Sequence, residues 1–288
     1  MEEKILSVKN LCKTYPSFQL KDISFDLKAG TIMGLIGANG AGKSTTIRCV
    51  TGQTNFEKGE IMLNGLDLKK NQKEYKSKIG YVCEDTNIFS DIKAKYFYEF
   101  VKQFYENWDD KRFKELISNF GLNLNQPIKS YSKGMKVKLH LAIALSHKAK
   151  LLIMDEPTSG LDPVVRGQLL QILSEEVKEN QSALLFSTHI TEDIQKIATD
   201  VCFISDGAII MNEKVDYIRD KFMEVVEFPQ WHTVLKDHVI KKIQNKLIIK
   251  RDETIIEKLV KQGIEYNPIS FDHLLVTLIE KEGNLCLD

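Results

Sequence analysis

The stretch Gly37-Ala-Asn-Gly-Ala-Gly-Lys-Ser-Thr45 decides how this chain of 288 residues folds. It follows the apolar run Ile32–Ile36, which is typical of a buried strand, and a helical pattern begins at Lys43. Glycines let a loop between strand and helix curl tightly, so that its backbone N–H groups converge on one point. The pattern G-x-x-x-x-G-K-[ST] in this setting predicts a phosphate loop for a nucleoside triphosphate.

The loop and the first turn of the helix supply the predicted nucleotide contacts. We expect Lys43 to bridge the β- and γ-phosphates and the Ser44 hydroxyl to ligate Mg²⁺. The positive end of the helix adds to the attraction for phosphate. A chance glycine turn explains the motif poorly, because strand, loop, lysine, hydroxyl and helix all follow in order. The predicted contacts in this motif are Asn39, Gly40, Ala41, Gly42, Lys43, Ser44 and Thr45.

Two carboxylates follow a second apolar strand, predicted over residues 151–154. Neighbouring side chains on a strand point to opposite sides, so Asp155 and Glu156 can take different tasks. We expect Asp155 to hold Mg²⁺, often through water, and Glu156 to act as general base toward the attacking water. Ligands of open α/β sheets bind beyond the carboxyl ends of the strands, which is where this pair falls.

A third strand, predicted over residues 183–187, is followed by His189. This strand should end at the same edge of the sheet as the carboxylate strand. A neutral imidazole there can hydrogen-bond the γ-phosphate and order the attacking water. The other histidines have no such setting and are interpreted as surface or core residues; they are His140, His147, His232, His238 and His273.

Composition narrows the classes of function. Forty basic and forty acidic residues cancel, which argues against a dedicated nucleic-acid binder. The five cysteines are odd in number and lack metal-ligand spacing, which favours free thiols in a reducing compartment. No run approaches ~18 consecutive apolar residues, and the N-terminus lacks the apolar run of a signal peptide. Action at a membrane would then require another polypeptide.

The pattern along the chain changes twice. Between about residues 90 and 148, aromatic and aliphatic residues recur at helical spacing, which predicts a helical block inserted into an α/β domain. After about residue 215 the pattern predicts a small α+β appendage, with a strand at 247–250 and a helix at 255–262. A second helix is expected after Ser270, a suitable N-cap for the apolar stripe that begins at Phe271.

Over roughly residues 4–215 the ordered motifs resemble the ATP-binding subunit of ABC transporters. Tyr131-Ser-Lys-Gly-Met135 looks like the signature of that family, and Ser159-Gly-Leu-Asp162 looks like its D-loop. His189 corresponds to its switch histidine, and Tyr15 matches the aromatic residue that stacks on adenine. So many motifs in one order are specific, and a joint coincidence is a poor alternative.

The resemblance implies a P-loop NTPase fold of the ABC type: a mixed β-sheet core with an inserted helical subdomain over about residues 85–150. The ATP-binding domain would span 1–215, and 216–288 would form the small C-terminal α+β domain, with an accessory or regulatory role. Glu84 stands where the family has the glutamine of its hinge into the helical block, and it would be a further Mg²⁺ ligand.

In this family two ATP-binding domains pair head to tail, and each signature helix addresses the ATP of the other subunit. The resemblance therefore places Ser132, Gly134 and Met135 at a nucleotide in trans. It implies a homodimer, or a heterodimer with a similar subunit, and a separately encoded membrane-spanning permease. The protein would be cytoplasmic, peripheral on the inner face of the cell membrane, and would use ATP and Mg²⁺ without nucleic acid.

Two departures from the family pattern bear on the function. Lys133 and Met135 replace a glycine and the glutamine of the commonest signature, and Glu84 replaces the hinge glutamine. Both variants are similar to those of bacterial exporters of antibiotics and peptides, so export of an antibiotic, toxin or amphipathic peptide is the leading hypothesis. This hypothesis rests on analogy with those exporters.

Two other functions stay open at this point. A soluble ABC-type ATPase could act on ribosomes or DNA, although such members carry two cassettes in one chain or long coiled coils. A regulatory module could sense ATP without turnover, although the retained Glu156 and His189 argue against it.

Overall fold

A computed structural model describes residues 3–82, 89–226, 235 and 238–280, with the backbone alone for 279 and 280. The strands are β1 (Lys4–Tyr15), β2 (Phe18–Lys28), β3 (Ile32–Ile36), β4 (Lys58–Leu63), β5 (Leu66–Asp67), β6 (Ile79–Val82), β7 (Leu151–Asp155), β8 (Ala183–Thr188), β9 (Asp200–Ser205), β10 (Ala208–Lys214), β11 (Phe222–Val226), β12 (Val239–Ile243), β13 (Lys246–Lys250) and β14 (Tyr266–Pro268). The helices are α1 (Lys43–Val50), α2 (Gln72–Ser77), α3 (Ala94–Val101), α4 (Asp110–Asn119), α5 (Lys133–Ser146), α6 (Pro163–Asn180), α7 (Thr191–Ile197), α8 (Val215–Lys221), α9 (Glu253–Lys261) and α10 (Phe271–Glu280).

A six-stranded mixed sheet in the order β10-β9-β3-β8-β7-β6 forms the centre of the molecule. Its strands run parallel except β10, which pairs antiparallel with β9. Every residue of β3 is buried, as expected for a parallel strand covered on both faces. The carboxyl ends of β3, β7 and β8 therefore meet at one edge of the sheet.

A second sheet, in the order β2-β1-β4-β5, is antiparallel and lies beside the central sheet. Its inward residues, such as Ile23 and Phe25, share one hydrophobic cluster with Met33 and Leu35 of β3 and with Ile47 of α1. This packing holds the phosphate loop between two sheets.

The predicted helical block is present as α3, α4 and α5 within the span 94–146. Asp109 caps α4 by accepting from the Arg112 N–H at 2.9 Å, and Ser132 caps α5. Phe113 and Leu139 are fully buried where α4 packs against α5. The block therefore has its own apolar contacts and also joins the main hydrophobic cluster.

The region after β10 forms a third sheet, in the order β12-β13-β11-β14, with α9 on one face and α10 on the other. Met223 and Val225 face the cluster that contains Leu259 of α9. Phe222 faces the opposite way and joins the main cluster together with Leu274 of α10. The period of two along β11 explains this division, because successive side chains of a strand point to opposite faces.

The core strands and helices predicted from the sequence all appear, with ends that differ by a few residues. The largest differences are in β1 and β2: apolar patterning in the sequence predicts strands only at 5–8 and 23–27, and both observed strands extend well beyond these runs. Their extra residues pair along an irregular hairpin with shifts of register, which alternation alone does not indicate. No pattern in the sequence predicted α2, α8, β11, β12 or β14. The boundary at residue 215 stays a prediction; there the chain passes directly from β10 into α8.

Candidate active site

The phosphate loop lies between β3 and α1, as predicted. Lys43 is 6% exposed, and its ammonium donates to the carbonyls of Gly37 at 2.8 Å and Ala38 at 3.3 Å. The loop thus curls around the lysine, which places Nζ at the centre of the turn.

Two glycines of the loop are required for different physical reasons. A Cβ on Gly37 would collide with the backbone carbonyl of Ile204 on β9, so only glycine lets the loop leave β3 this close to its neighbour. Gly42 has φ +119°, which side chains rarely adopt, and a Cβ there would lie 2.7 Å from Leu20 Cδ2. The first glycine permits a close approach and the second a backbone conformation.

Asp155 ends β7 beside the loop. Its Oδ1 accepts from the Ser44 hydroxyl at 3.2 Å and from the Ser187 hydroxyl at 2.5 Å. Ser187 lies opposite Asp155 in the register of β7 and β8. The structure therefore brings the predicted metal-binding pair, Ser44 and Asp155, into direct contact.

Glu156 turns away from Asp155 because its backbone is in the left-handed region, with φ +50°. Its N–H donates to Ser187 Oγ at 3.0 Å, which stabilises this turn. One carboxylate oxygen lies 3.7 Å from Lys43 Nζ. The other accepts from Nδ1 of His189 at 2.8 Å, since an ionised carboxylate can only accept. The predicted catalytic residues Lys43, Glu156 and His189 are thus adjacent.

Tyr15 stands at the far side of an open cleft of about 800 Å³ that begins at the loop. Tyr15 is 38% exposed, and Lys13 Nζ lies 5.1 Å from its ring centroid. An exposed aromatic face next to a phosphate loop can stack on a planar base. The cleft is lined by Tyr15, Pro16, Ser17, Phe18, Asn39, Gly40, Gly42, Lys43, Ser44, Thr45 and Glu156. Ala41 is buried beneath the loop, 6% exposed.

The signature residues begin α5 and, among the described residues, do not line this cleft. Ser132 Oγ accepts from the Met135 N–H at 3.2 Å, as expected of an N-cap. A Cβ on Gly134 would lie 3.4 Å from Val165 and 3.6 Å from Leu161, so this tip of α5 rests on the D-loop and the start of α6. Met135 packs against the main cluster. Glu84 falls outside the described residues.

The structure adds residues that the sequence analysis did not assign to the site. Ser187 joins Asp155 to Glu156, and a hydroxyl just before His189 at a strand end was the available signal. A second group lies behind the carboxylates: Asp193 is fully buried and accepts from Thr158 and from Arg166, each at 2.5 Å. This group ties α6 and α7 to the segment that follows Glu156, and no spacing pattern indicates it.

Comparisons with known proteins agree with this arrangement. Residues 20–159 match the family model described as ABC transporter. The chain is 32% identical over 217 residues to the lantibiotic transport ATP-binding protein SrtF of Streptococcus pyogenes, covering 74% of this chain and 92% of that protein. It is 32% identical over 212 residues to the linearmycin resistance ATP-binding protein LnrL of Bacillus subtilis, covering 72% and 68%.

This chain belongs to the ABC transporter ATP-binding proteins. A solved ATP-binding subunit of an ABC transporter, 28% identical, superimposes with a TM-score of 0.67 over 75% of this chain and 92% of its own. The predicted fold class is therefore confirmed. Like the other members of the family, this ABC subunit binds and hydrolyses ATP. Subunits of this family form dimers and act with separate membrane permeases.

In the described part of this ABC subunit, no helix combines the length and the apolar character needed to cross a bilayer. No group of three or more histidine, cysteine, aspartate or glutamate side chains is placed to hold a metal ion among those same residues.

Proposed function

We propose that this ATPase subunit drives export of an antibiotic, toxin or amphipathic peptide through a separately encoded membrane-spanning permease. The observation that carries the ATPase part is the convergence of Lys43, Glu156 and His189 at the carboxyl edge of the central sheet. The export part is supported by relatives whose names refer to lantibiotic transport and linearmycin resistance. The predicted location, peripheral on the inner face of the cell membrane, belongs to the same proposal.

Lys43 and the loop would hold the triphosphate. The backbone N–H groups of the loop would donate to the phosphate oxygens, and Tyr15 would stack on adenine across the cleft. The ammonium of Lys43 would neutralise phosphate charge. Because Lys43 also lies 3.7 Å from Glu156, the lysine links the phosphate site to the general base.

Glu156 would take a proton from the attacking water. It is 15% exposed in its side chain and borders the cleft, so it reaches both the protein interior and the substrate. His189, whose Nδ1–H donates to one carboxylate oxygen, would hold Glu156 in place and order the attacking water. The unusual backbone of Glu156 aims the carboxylate toward the loop and away from Asp155.

The residues present fit Mg²⁺. The ion prefers oxygen ligands and is bound by one or two protein side chains together with the phosphates of the substrate. Ser44 and Asp155 supply a hydroxyl and a carboxylate 3.2 Å apart, and Ser187 orients the carboxylate. Bound there, Mg²⁺ would neutralise phosphate charge. Glu84 is proposed as a further ligand from the sequence alone.

The signature would act on a nucleotide held by a second subunit, either a copy of this chain or a similar one. Ser132 caps α5, and the first turn of a helix directs backbone N–H groups along its axis toward an anion. Gly134 keeps that tip free of a side chain, and Met135 anchors it from below. Each ATP would then join two subunits, and hydrolysis would release them.

The permease would contact the helical block. Exposed aromatic rings gather on α3 and just after it: Tyr96 is 61%, Phe100 48% and Phe104 65% exposed. Phe100 lies 5.2 Å from Phe104 and 5.9 Å from Phe89, so these three rings form one patch. An exposed apolar patch of this kind marks a protein contact.

Ribosomes and DNA are disfavoured as partners, because forty basic and forty acidic residues balance.

The test is Glu156→Gln, measured by steady-state phosphate release and by sedimentation with ATP. We expect hydrolysis to fall about 100-fold or more, since the base is lost while the side-chain shape is kept. ATP-dependent pairing should persist or strengthen. Glu257→Gln, an exposed glutamate on α9 far from the cleft, is the matched control. A native rate in Glu156→Gln would refute the assigned base.

Co-purification with a polytopic membrane protein, rather than ribosomes or DNA, would support the transport role.

A further inference from the structure

The region after β10 holds α7, the helix that follows His189, at two points. Asp272 of α10 accepts from the Thr191 hydroxyl at 2.9 Å. Arg219 of α8 donates from its guanidinium to the Gln195 carbonyl at 3.0 Å. Thr191 is the first residue of α7. The C-terminal region therefore contacts α7 at its start and again near its end.

His189 itself has little packing to hold it. Its side chain is 54% exposed and hydrogen-bonds to the Glu156 carboxylate. The backbone between His189 and α7 is short, with the Ile190 N–H donating to the Thr188 hydroxyl at 2.9 Å. The position of the imidazole therefore depends on where this backbone and the start of α7 are fixed. Thr191, 5% exposed, is the nearest buried anchor after the histidine.

The helix that carries Asp272 is firmly placed. Phe271 and Leu274 are fully buried or nearly so, and the Phe271 ring meets Phe203 of β9 edge-on at 6.1 Å. Glu224 of β11 accepts from the Ser270 N–H at 2.6 Å and from His273 Nδ1 at 2.8 Å. The first turn of α10 is thus tied to the central sheet by packing and to the C-terminal sheet by hydrogen bonds.

The opposite side of α7 is tied to the catalytic segment. Buried Asp193 accepts from the hydroxyl of Thr158 and the guanidinium of Arg166, and Arg166 also reaches Glu192 at 3.4 Å. Thr158 follows Glu156 closely in the chain. The helix therefore lies between the segment that bears the general base and the C-terminal helix, and contacts on both sides decide its position.

We propose that Asp272 is a positioning residue for ATP hydrolysis: through the Thr191 hydroxyl it fixes the start of α7 and so the place of His189 relative to Glu156. The inference rests on the role of His189 in the proposed function. Asp272 contacts neither the phosphate loop nor the cleft. Its loss should therefore lower the rate of hydrolysis more than it weakens ATP binding. A displaced catalytic group slows the reaction although the substrate still binds.

The experiment compares Asp272→Ala with Asp272→Asn, and Thr191→Val with Thr191→Ser, in the full chain. Asn and Ser keep the acceptor and the hydroxyl, respectively, whereas Ala and Val remove them. We expect kcat to fall about five-fold in Asp272→Ala and Thr191→Val, with KM for ATP changed by less than about two-fold. Asp272→Asn and Thr191→Ser should stay close to native. The Thr191→Val/Asp272→Ala double variant should be no slower than the slower single variant, because both remove one contact.

A second threonine–aspartate pair in the same region provides the control. Thr254 donates to Asp252 at 2.6 Å at the start of α9, and Thr254→Val removes that contact without touching α7. We expect native kcat in Thr254→Val, with thermal unfolding recorded for every variant. Equal loss of kcat in Thr254→Val and Asp272→Ala would overturn the proposal, because the effect would then follow general destabilisation. Native kcat in Asp272→Ala would overturn it as well.

His189→Ala separates this inference from the proposed function. If kcat falls in His189→Ala but stays native in Asp272→Ala, only the role of Asp272 is overturned. A native rate in His189→Ala would instead remove His189 from the proposed mechanism, whatever the Asp272 variants do. If kcat falls in His189→Ala and the His189→Ala/Asp272→Ala double variant is no slower, the proposal is supported, since both changes then act through the same imidazole.

Discussion

Two glutamates of this protein have the same kinds of neighbours and different environments. Glu156, at the edge of the central sheet, has Lys43 at 3.7 Å and His189 at 2.8 Å. Glu224, in the C-terminal sheet, has Lys246 at 2.5 Å and His273 at 2.8 Å.

The difference lies in how fully each carboxylate is satisfied. Glu224 is 4% exposed in its side chain and also accepts from the Ser270 N–H. Glu156 is 15% exposed, lies farther from its lysine and borders an open cleft. A carboxylate whose lone pairs are all occupied by the protein serves structure, whereas one with capacity left over can accept a proton from water. Residue types alone therefore do not identify a catalytic group.

The pKa of Glu224 expresses its environment. Burial opposes ionisation, but the hydrogen bonds from Lys246, the Ser270 N–H and His273 outweigh it and lower the pKa from 4.5 to about 2. The ionised form is therefore the one that the fold requires, and the cluster joins β11, β13 and α10.

The comparison predicts the largest effect for Lys43→Ala. We expect ATP hydrolysis to fall by about 1,000-fold or more, since the ammonium that neutralises phosphate charge is lost. Lys246→Ala is the matched control at the other glutamate, and its rate should stay within about ten-fold of native because Lys246 only supports the fold. Phosphate release measures both. Comparable losses in the two variants would contradict the distinction between the clusters.

A smaller effect, on stability, is expected for Glu224→Gln. An amide has one acceptor atom in place of two, so one of the donors around it is left without a partner. The free energy of unfolding should fall by about 2 kcal/mol, measured by urea denaturation. Glu265→Gln, an exposed glutamate of the same region, should be close to neutral. An unchanged midpoint in Glu224→Gln would show that the cluster contributes nothing to the fold.

The smallest effect is the pH dependence of that difference. Because the folded-state pKa of Glu224 is lowered, its stabilisation is present above pH 4.5 and is lost as the pH falls from 4.5 toward 2. The gap in unfolding free energy between the native protein and Glu224→Gln should therefore narrow over that range. Urea denaturation at pH 5.5, 4.5 and 3.5 provides the measurement. A constant or widening gap would contradict the assigned pKa shift.

The site could be read from the sequence where motif and topology coincide. The predicted strand ends placed Lys43, Asp155 and His189 at one edge of the sheet, because the carboxyl ends of adjacent parallel strands lie at the same edge. Ser187 was missed as a member of the site because its role depends on the register between β7 and β8. The buried group around Asp193 was missed because residues distant in the chain form it.

The C-terminal region shows where such reasoning ends. The apolar stripe that begins at Phe271 predicted a helix, and α10 is present. Its partner could not be predicted: Phe271 and Leu274 join the main cluster beside Phe203, so the helix packs between the C-terminal sheet and the ATP-binding part. Amphipathic periodicity gives the buried face of a helix and leaves its partner open.

The phosphate loop, the carboxylate strand and the family follow from the amino-acid sequence, because glycine, lysine and acidic residues at fixed spacing act within a few residues of each other. Two properties come from the packing of the folded chain: Glu224 is enclosed by protein donors whereas Glu156 faces an open cleft, and Asp272 reaches Thr191. Those properties depend on distances between chain segments far apart in sequence, which packing sets and local spacing does not record.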